Sequence, residues 1–106
     1  MMNENTLSTL GLCARARALA CGTALVCESV RSNKAKLVLL SDAASQNTIK
    51  RVTNCCAYYG VRLVTADVSC ERLGGCIGKR GRVSCVAISD ENFARAISES
   101  IERSGR

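Results

Sequence analysis

The chain has 106 residues, 47% of them hydrophobic, and its 15 Lys/Arg against 9 Asp/Glu give a formal charge of +6 with no histidine and no proline. That length suits one domain, residues 1–106, with a real core and little room for a second site-bearing lobe. Three aromatics, Tyr58, Tyr59 and Phe93, are too few for a platform that stacks single-stranded bases, and no apolar run is long enough to span a bilayer.

In chain order, the first element is a helix on which Leu7, Leu10 and Ala14 share a face, with Arg15 and Arg17 towards its negative pole. Gly22 separates it from a second helix that runs to about Ser32. Residues 37–40, Leu-Val-Leu-Leu, form an unalternating apolar run between Lys36 and Asp42, the pattern of a central strand covered on both faces. Ser45 suits the N-cap of a third helix carrying Ile49, Val52, Cys56 and Tyr59 at three- and four-residue spacing, which Gly60 ends. Residues 61–66 read as the next strand, Ser69 as the cap of a short helix through Cys76, and residues 83–89 as another strand. Asp90 caps a last helix whose Phe93, Ile97 and Ile101 form a narrow docking stripe. Helix and strand in alternation, joined by short polar breaks, predict an α/β/α sandwich around a small sheet.

The charge is uneven. Residues 5–82 hold twelve Lys/Arg against Glu28, Asp42, Asp67 and Glu71, and acids return from Asp90 onwards. A basic body of this kind points to an anionic partner, with nucleic acid foremost. With so few aromatics, RNA would be met through its backbone and shape. The basic character is sharpest between Glu71 and Asp90, where no acidic residue occurs and a loop cut by Gly74, Gly75, Gly78 and Gly81 carries Lys79, Arg80 and Arg82. Glycine lets backbone amides approach a polyanion closely, while Lys and Arg attract it from a distance. The same residues also suit a solvated basic turn.

Eight cysteines raise the questions of zinc, disulfides and thiol chemistry. There is no C-x-x-C pair, and the adjacent Cys55 and Cys56 are poorly placed to share one tetrahedral ion. Cys13, Cys27, Cys55, Cys56 and Cys85 fall in apolar-patterned segments, where a reduced cysteine packs as a small hydrophobe. The expectation is free thiols, no metal and no cofactor. With no signal-peptide apolar region near Met1, a cytoplasmic setting is expected as well. A thiol enzyme or redox sensor would have no histidine as base; its one candidate is Cys76, whose pKa the neighbouring cations could lower.

The order of elements, the stretch G-T-A-L-V-C-E-S-V-R-S-N-K-A-K-L-V-L-L-S-D-A-A-S-Q-N-T, the Tyr-Tyr-Gly-Val turn at residues 58–61 and L-G-G-C-I-G-K-R-G-R-V resemble the kink-turn RNA-binding ribosomal-protein family, L-seven-Ae / L-thirty-e, with its small bacterial members nearest in kind. The resemblance runs from about Leu10 to Ile97. It implies a three-layer α/β/α fold with a small mixed four-stranded sheet flanked by helices, no catalysis, and binding to sharply bent RNA. The implied partners are structured, ribosomal RNA and ribosomal or RNA-processing proteins, with the chain acting as a monomer away from membranes.

In that family the start of the second helix reads kinked RNA through a Gly-x-Asn-Glu-x-x-Lys pattern. Here Gly22 persists, but Ala24 stands at the asparagine, Leu25 at the glutamate and Glu28 at the lysine. The helix start keeps free N–H groups and a positive dipole end, so Gly22, Thr23 and Ala24 can meet phosphate through backbone, while Glu28 opposes it. The loop leaving the central strand, residues 41–45, would wall a pocket for an everted base, and Ala44 offers it no acceptor. Ile77, Gly78, Lys79, Arg80 and Arg82 match the family's third contact, with Ile77 also readable as a core residue. Two functions follow: recognition of kinked RNA by a ribosome-associated protein, or an interaction module of the same fold that has lost kink recognition and binds protein or general RNA.

Overall fold

The computed structural model describes residues 4–79 and 81–104. Its elements are α1 (Glu4–Arg15), β1 (Leu19–Cys21), α2 (Thr23–Arg31), β2 (Leu37–Ser41), α3 (Gln46–Tyr59), β3 (Leu63–Ala66), α4 (Cys70–Cys76), β4 (Cys85–Ile88) and α5 (Glu91–Ser104). The four strands form one mixed sheet in the order β1-β4-β2-β3. β4 runs antiparallel to both β1 and β2, and β2 runs parallel to β3.

Side-chain alternation along the two inner strands divides the core into two layers. Leu37 and Leu39 of β2 and Val86 and Ile88 of β4 join Leu10 of α1, Leu73 of α4 and Ile97 of α5. Val38 and Leu40 of β2 and Cys85 and Ala87 of β4 face the other way, onto Val26 and Val30 of α2 and Val52 and Cys56 of α3. Every residue of β2 is buried, which explains why its sequence shows no polar alternation. The result is the expected α/β/α sandwich, with α1, α4 and α5 on one face and α2 and α3 on the other.

The predicted caps are in place. Ser45 Oγ accepts from Thr48 N–H, Ser69 Oγ from Arg72 N–H, and Asp90 Oδ1 from Phe93 N–H. Other expectations are corrected. The sequence reading passes from the first helix to Gly22 without a strand, whereas residues 19–21 form β1, an edge strand paired in register with β4. Three residues are too few to show a period of two, and their pairing partner is distant in the chain. Arg17 is not in the first helix: α1 stops at Arg15, and Arg17 turns with φ 59° while Ala18 N–H closes back on Cys13 O. The strands expected over residues 61–66 and 83–89 start later because the flanking amides bond elsewhere, Val61 N–H to Cys56 O and Val83 N–H to Cys70 O; past the end of β4, Ser89 N–H meets Ala18 O, the next pair in the β1 register. Tyr59 leaves the core stripe of α3; it is 45% exposed and meets Tyr58 edge to face, with ring centroids 4.8 Å apart.

The cysteines are free thiols. Cys13, Cys27, Cys56, Cys70 and Cys85 are buried, and Cys21, Cys55 and Cys76 are half-buried. No helix among the described residues is long and apolar enough to cross a membrane.

Candidate nucleic-acid interface

The sheet register brings separate pieces of chain to one end. Cys21, the last residue of β1, pairs with Val86, and Gly22 N–H donates to Cys85 O at 3.1 Å. On the other side of β4, Ser41 N–H donates to Ser84 O at 2.8 Å. Because β3 runs parallel to β2, its end arrives at the same place, and Asp42 N–H donates to Ala66 O at 3.0 Å. The start of α2, the 41–45 loop and the loop before β4 therefore share one edge of the molecule.

Gly22 is the N-cap of α2 with φ 93°, a conformation that strains any residue carrying a Cβ, and no side chain caps the helix start. The first N–H groups of a helix have no partner within it, so this end offers donors and a positive dipole to an anion. Thr23 directs its hydroxyl onto the buried Cys85 thiol, which leaves its backbone as the group available to a ligand. Ala24 and Glu28 are exposed, and so is Leu25 at 54%. Glu28 borders an open groove of about 250 Å³ between α2 and the edge strand, together with Leu25, Arg17 and Lys34. Two cations thus line the same groove as the carboxylate that stands at the lysine position of the family pattern. They come from the turns before β1 and after α2, where a linear motif has no reach.

Ser41 holds the middle loop. Its hydroxyl donates to Val68 O and accepts from Ala43 N–H at 3.1 Å, and the Cys70 thiol lies 3.6 Å from it. A fully buried serine at the end of an apolar strand thus ties β2, α4 and the loop together. Sequence reading placed Ser41 in the loop without this role; the visible signal was one polar residue closing an apolar run. Ala44 is turned into the core beside Val52.

The basic loop is packed tightly against α4. A Cβ on Gly74 would lie 2.4 Å from Gly81 O, so only glycine allows the loop this close, and Lys79 N–H donates to Gly74 O at 2.9 Å. Gly78 and Lys79 are exposed. Arg82 is exposed as well and pairs with Glu71 at 3.1 Å. Arg80, expected as a third cation of this loop, lies outside the described residues. Ile77 is the C-cap of α4 and 8% exposed, packed into the layer of α1, α4 and α5, so its side chain supports the loop from below. The expectation of a lowered Cys76 pKa is overturned: burial pushes this thiol up, outweighing Arg72 and the backbone. The described residues contain no cluster of His, Cys, Asp or Glu able to hold a metal ion.

A mixed sheet between two helical layers, with an uncapped helix start and two loops gathered at one strand end, defines a class of α/β/α protein built around that edge. Residues 4–98 match the model of the Ribosomal protein L7Ae/L30e/S12e/Gadd45 family, and the chain belongs to this family. It is 46% identical over 88 residues to the RNA-binding protein YlxQ of Bacillus subtilis (strain 168), covering 83% of this chain and 86% of that protein. It is 33% identical over 99 residues to the RNA-binding protein YlxQ of Enterococcus faecium, covering 93% of each. Among solved structures, a protein with unknown function from Bacillus halodurans C superposes with a TM-score of 0.87 at 33% identity, covering 94% of this chain and 99% of that one. The Giardia lamblia 15.5kD RNA binding protein shares the fold, with a TM-score of 0.75 at 21% identity over 95% of this chain and 88% of its own.

Proposed function

We propose that this chain is a non-enzymatic, ribosome-associated RNA-binding protein of the cytoplasm, a monomer of one domain that recognises structured, kink-turn-like RNA. The observation that carries this reading is the convergence of the α2 start with the loop bearing Lys79 and Arg82 on one edge. Both relatives named as RNA-binding proteins support it. In this mechanism the N–H groups of Thr23 and Ala24 hold phosphate at the helix start, the Gly22 amide being engaged by Cys85 O, while Gly78, Lys79, Arg80 and Arg82 meet the flanking backbone. Arg82 exchanges Glu71 for phosphate at little cost, because an ion pair between side chains 66% and 68% exposed is weak in water.

A second reading is favoured by Ala24, Leu25 and Glu28, which replace all three side-chain contacts of the family pattern and present an exposed leucine. On this reading the same surface binds protein or general RNA without regard to a kink. One experiment separates the two: binding to a kink-turn duplex and to a straight duplex of equal length, each at two salt concentrations. Tighter binding of the kinked RNA supports the first reading. Equal affinities with a steep salt dependence support the second, and no binding to either RNA rejects RNA recognition by this edge.

A further inference from the structure

Two thiols meet where α2 packs on α3. Cys27 of α2 is 4% exposed, in the layer it shares with Val30, Val52 and Cys56. Cys55 of α3 is half-buried, so one member of the pair borders solvent and the other does not. The Cys55 thiol donates to Cys27 O at 3.8 Å and also meets the Cys27 thiol. Cys76, another half-buried thiol, instead turns its hydrogen onto Leu73 O of its own helix. Two exposed cations flank the pair: Arg31 stands one turn beyond Cys27 on α2, and Arg51 one turn before Cys55 on α3. Burial first, and then the Cys27 thiol, push the Cys55 pKa up, while both guanidinium groups oppose them. The Cys55 thiolate is therefore scarce at neutral pH and its reactions are slow, but where it forms it lies beside cations that attract an anion.

We infer that Cys27 and Cys55 are a dithiol that small, carboxylate-bearing disulfides oxidise to a bond between α2 and α3, with Cys55 reacting first. The Cys55 thiolate attacks one sulfur of the small disulfide, whose carboxylates Arg31 and Arg51 attract. The S–S bond of that molecule breaks, and one half leaves as a thiolate that takes up the proton Cys55 lost. The Cys27 thiolate then attacks the Cys55 sulfur, and the second half leaves and takes up the proton from Cys27. Two electrons pass from the protein to the small disulfide, which is reduced to two thiols. Because Cys27 already lies against Cys55, the second step is intramolecular and outruns attack by another small molecule.

The test exposes the folded protein to glutathione disulfide, quenches with acid, alkylates the remaining thiols after unfolding and maps the peptides by mass spectrometry. Two of the eight thiols should be lost, linked as Cys27–Cys55, and dithiothreitol should restore them. Cys27→Ser should stop at a single glutathione on Cys55, and Cys55→Ser should leave Cys27 unmodified. Replacing Arg31 and Arg51 together with alanine should lower the rate with glutathione disulfide relative to the rate with cystamine, a cationic disulfide, by about threefold. That ratio separates attraction of the reagent from any change in the thiolate fraction. All eight thiols intact, modification that starts at Cys21, Cys76 or another thiol, an adduct on Cys27 in Cys55→Ser, or an unchanged ratio would each overturn the proposal. The map of the parent protein decides the pairing by itself, even if a serine in the Cys27 site folds poorly.

Discussion

Glu28 lies one turn along α2 from Ala24, in a groove that Arg17 and Lys34 also border. Its carboxylate repels phosphate. Glu28→Lys removes the repulsion and adds a phosphate partner, so affinity for kink-turn RNA should rise about tenfold at low salt and less at high salt. Straight duplex should gain less. Adding Ala24→Asn and Leu25→Glu restores the family's side-chain readout and should raise selectivity for kinked RNA beyond the effect of charge. Fluorescence anisotropy with both duplexes checks this; unchanged binding, or equal gains for both RNAs in the triple variant, would show that α2 does not read RNA. The Gly22–Glu28 stretch was legible in the sequence because its seven residues are contiguous. Arg17 and Lys34 were not, because they join the groove only through the turns that enter β1 and leave α2.

The loop before β4 functions as an element because α4 holds it. Replacing Lys79 and Arg82 together with alanine should leave folding intact and reduce the slope of log affinity against log salt by about two, roughly one per lost phosphate contact. An unchanged slope would remove this loop from the interface. Gly74→Ala tests the packing: the added methyl meets the Gly81 carbonyl, so the loop must move or the helix must shift. A loss of roughly 1–3 kcal/mol in urea unfolding is expected, together with weaker RNA binding although no charge has changed. Stability and affinity equal to the parent would show that the loop is not held at this contact. At this scale the sequence revealed long or capped elements, such as β2 with its apolar run and α3 with Ser45. It missed β1, whose three residues become a strand only through β4, and it began β3 and β4 too early, where flanking amides bond to other segments.

Across the whole molecule, the two layers meet in a sheet whose packing includes thiols on both faces. Burial, helped by the charge of Asp90, pushes Cys13 up to about 11 on the side of α1 and α5. Burial likewise raises Cys56 and Cys85 to about 11 in the layer of α2 and α3, with neighbouring cysteines adding to the effect and Thr23 opposing it at Cys85. An unfolded thiol titrates near 9, so the native state holds these protons more tightly than the unfolded chain does. Their contribution is fully present below about pH 9 and is lost as pH climbs towards 11. By pH 10.5 each thiol should have cost on the order of 2 kcal/mol, a large share of the stability of a small protein. Urea midpoints should therefore hold from pH 7.5 to near 9 and then fall steeply. Cys56→Ala should start from a lower midpoint because of its cavity, yet decline less across the alkaline range, since one of the three titrations is gone. A midpoint that stays level to pH 10.5, or a variant that falls as steeply as the parent, would mean that deprotonation of these buried thiols does not limit the fold.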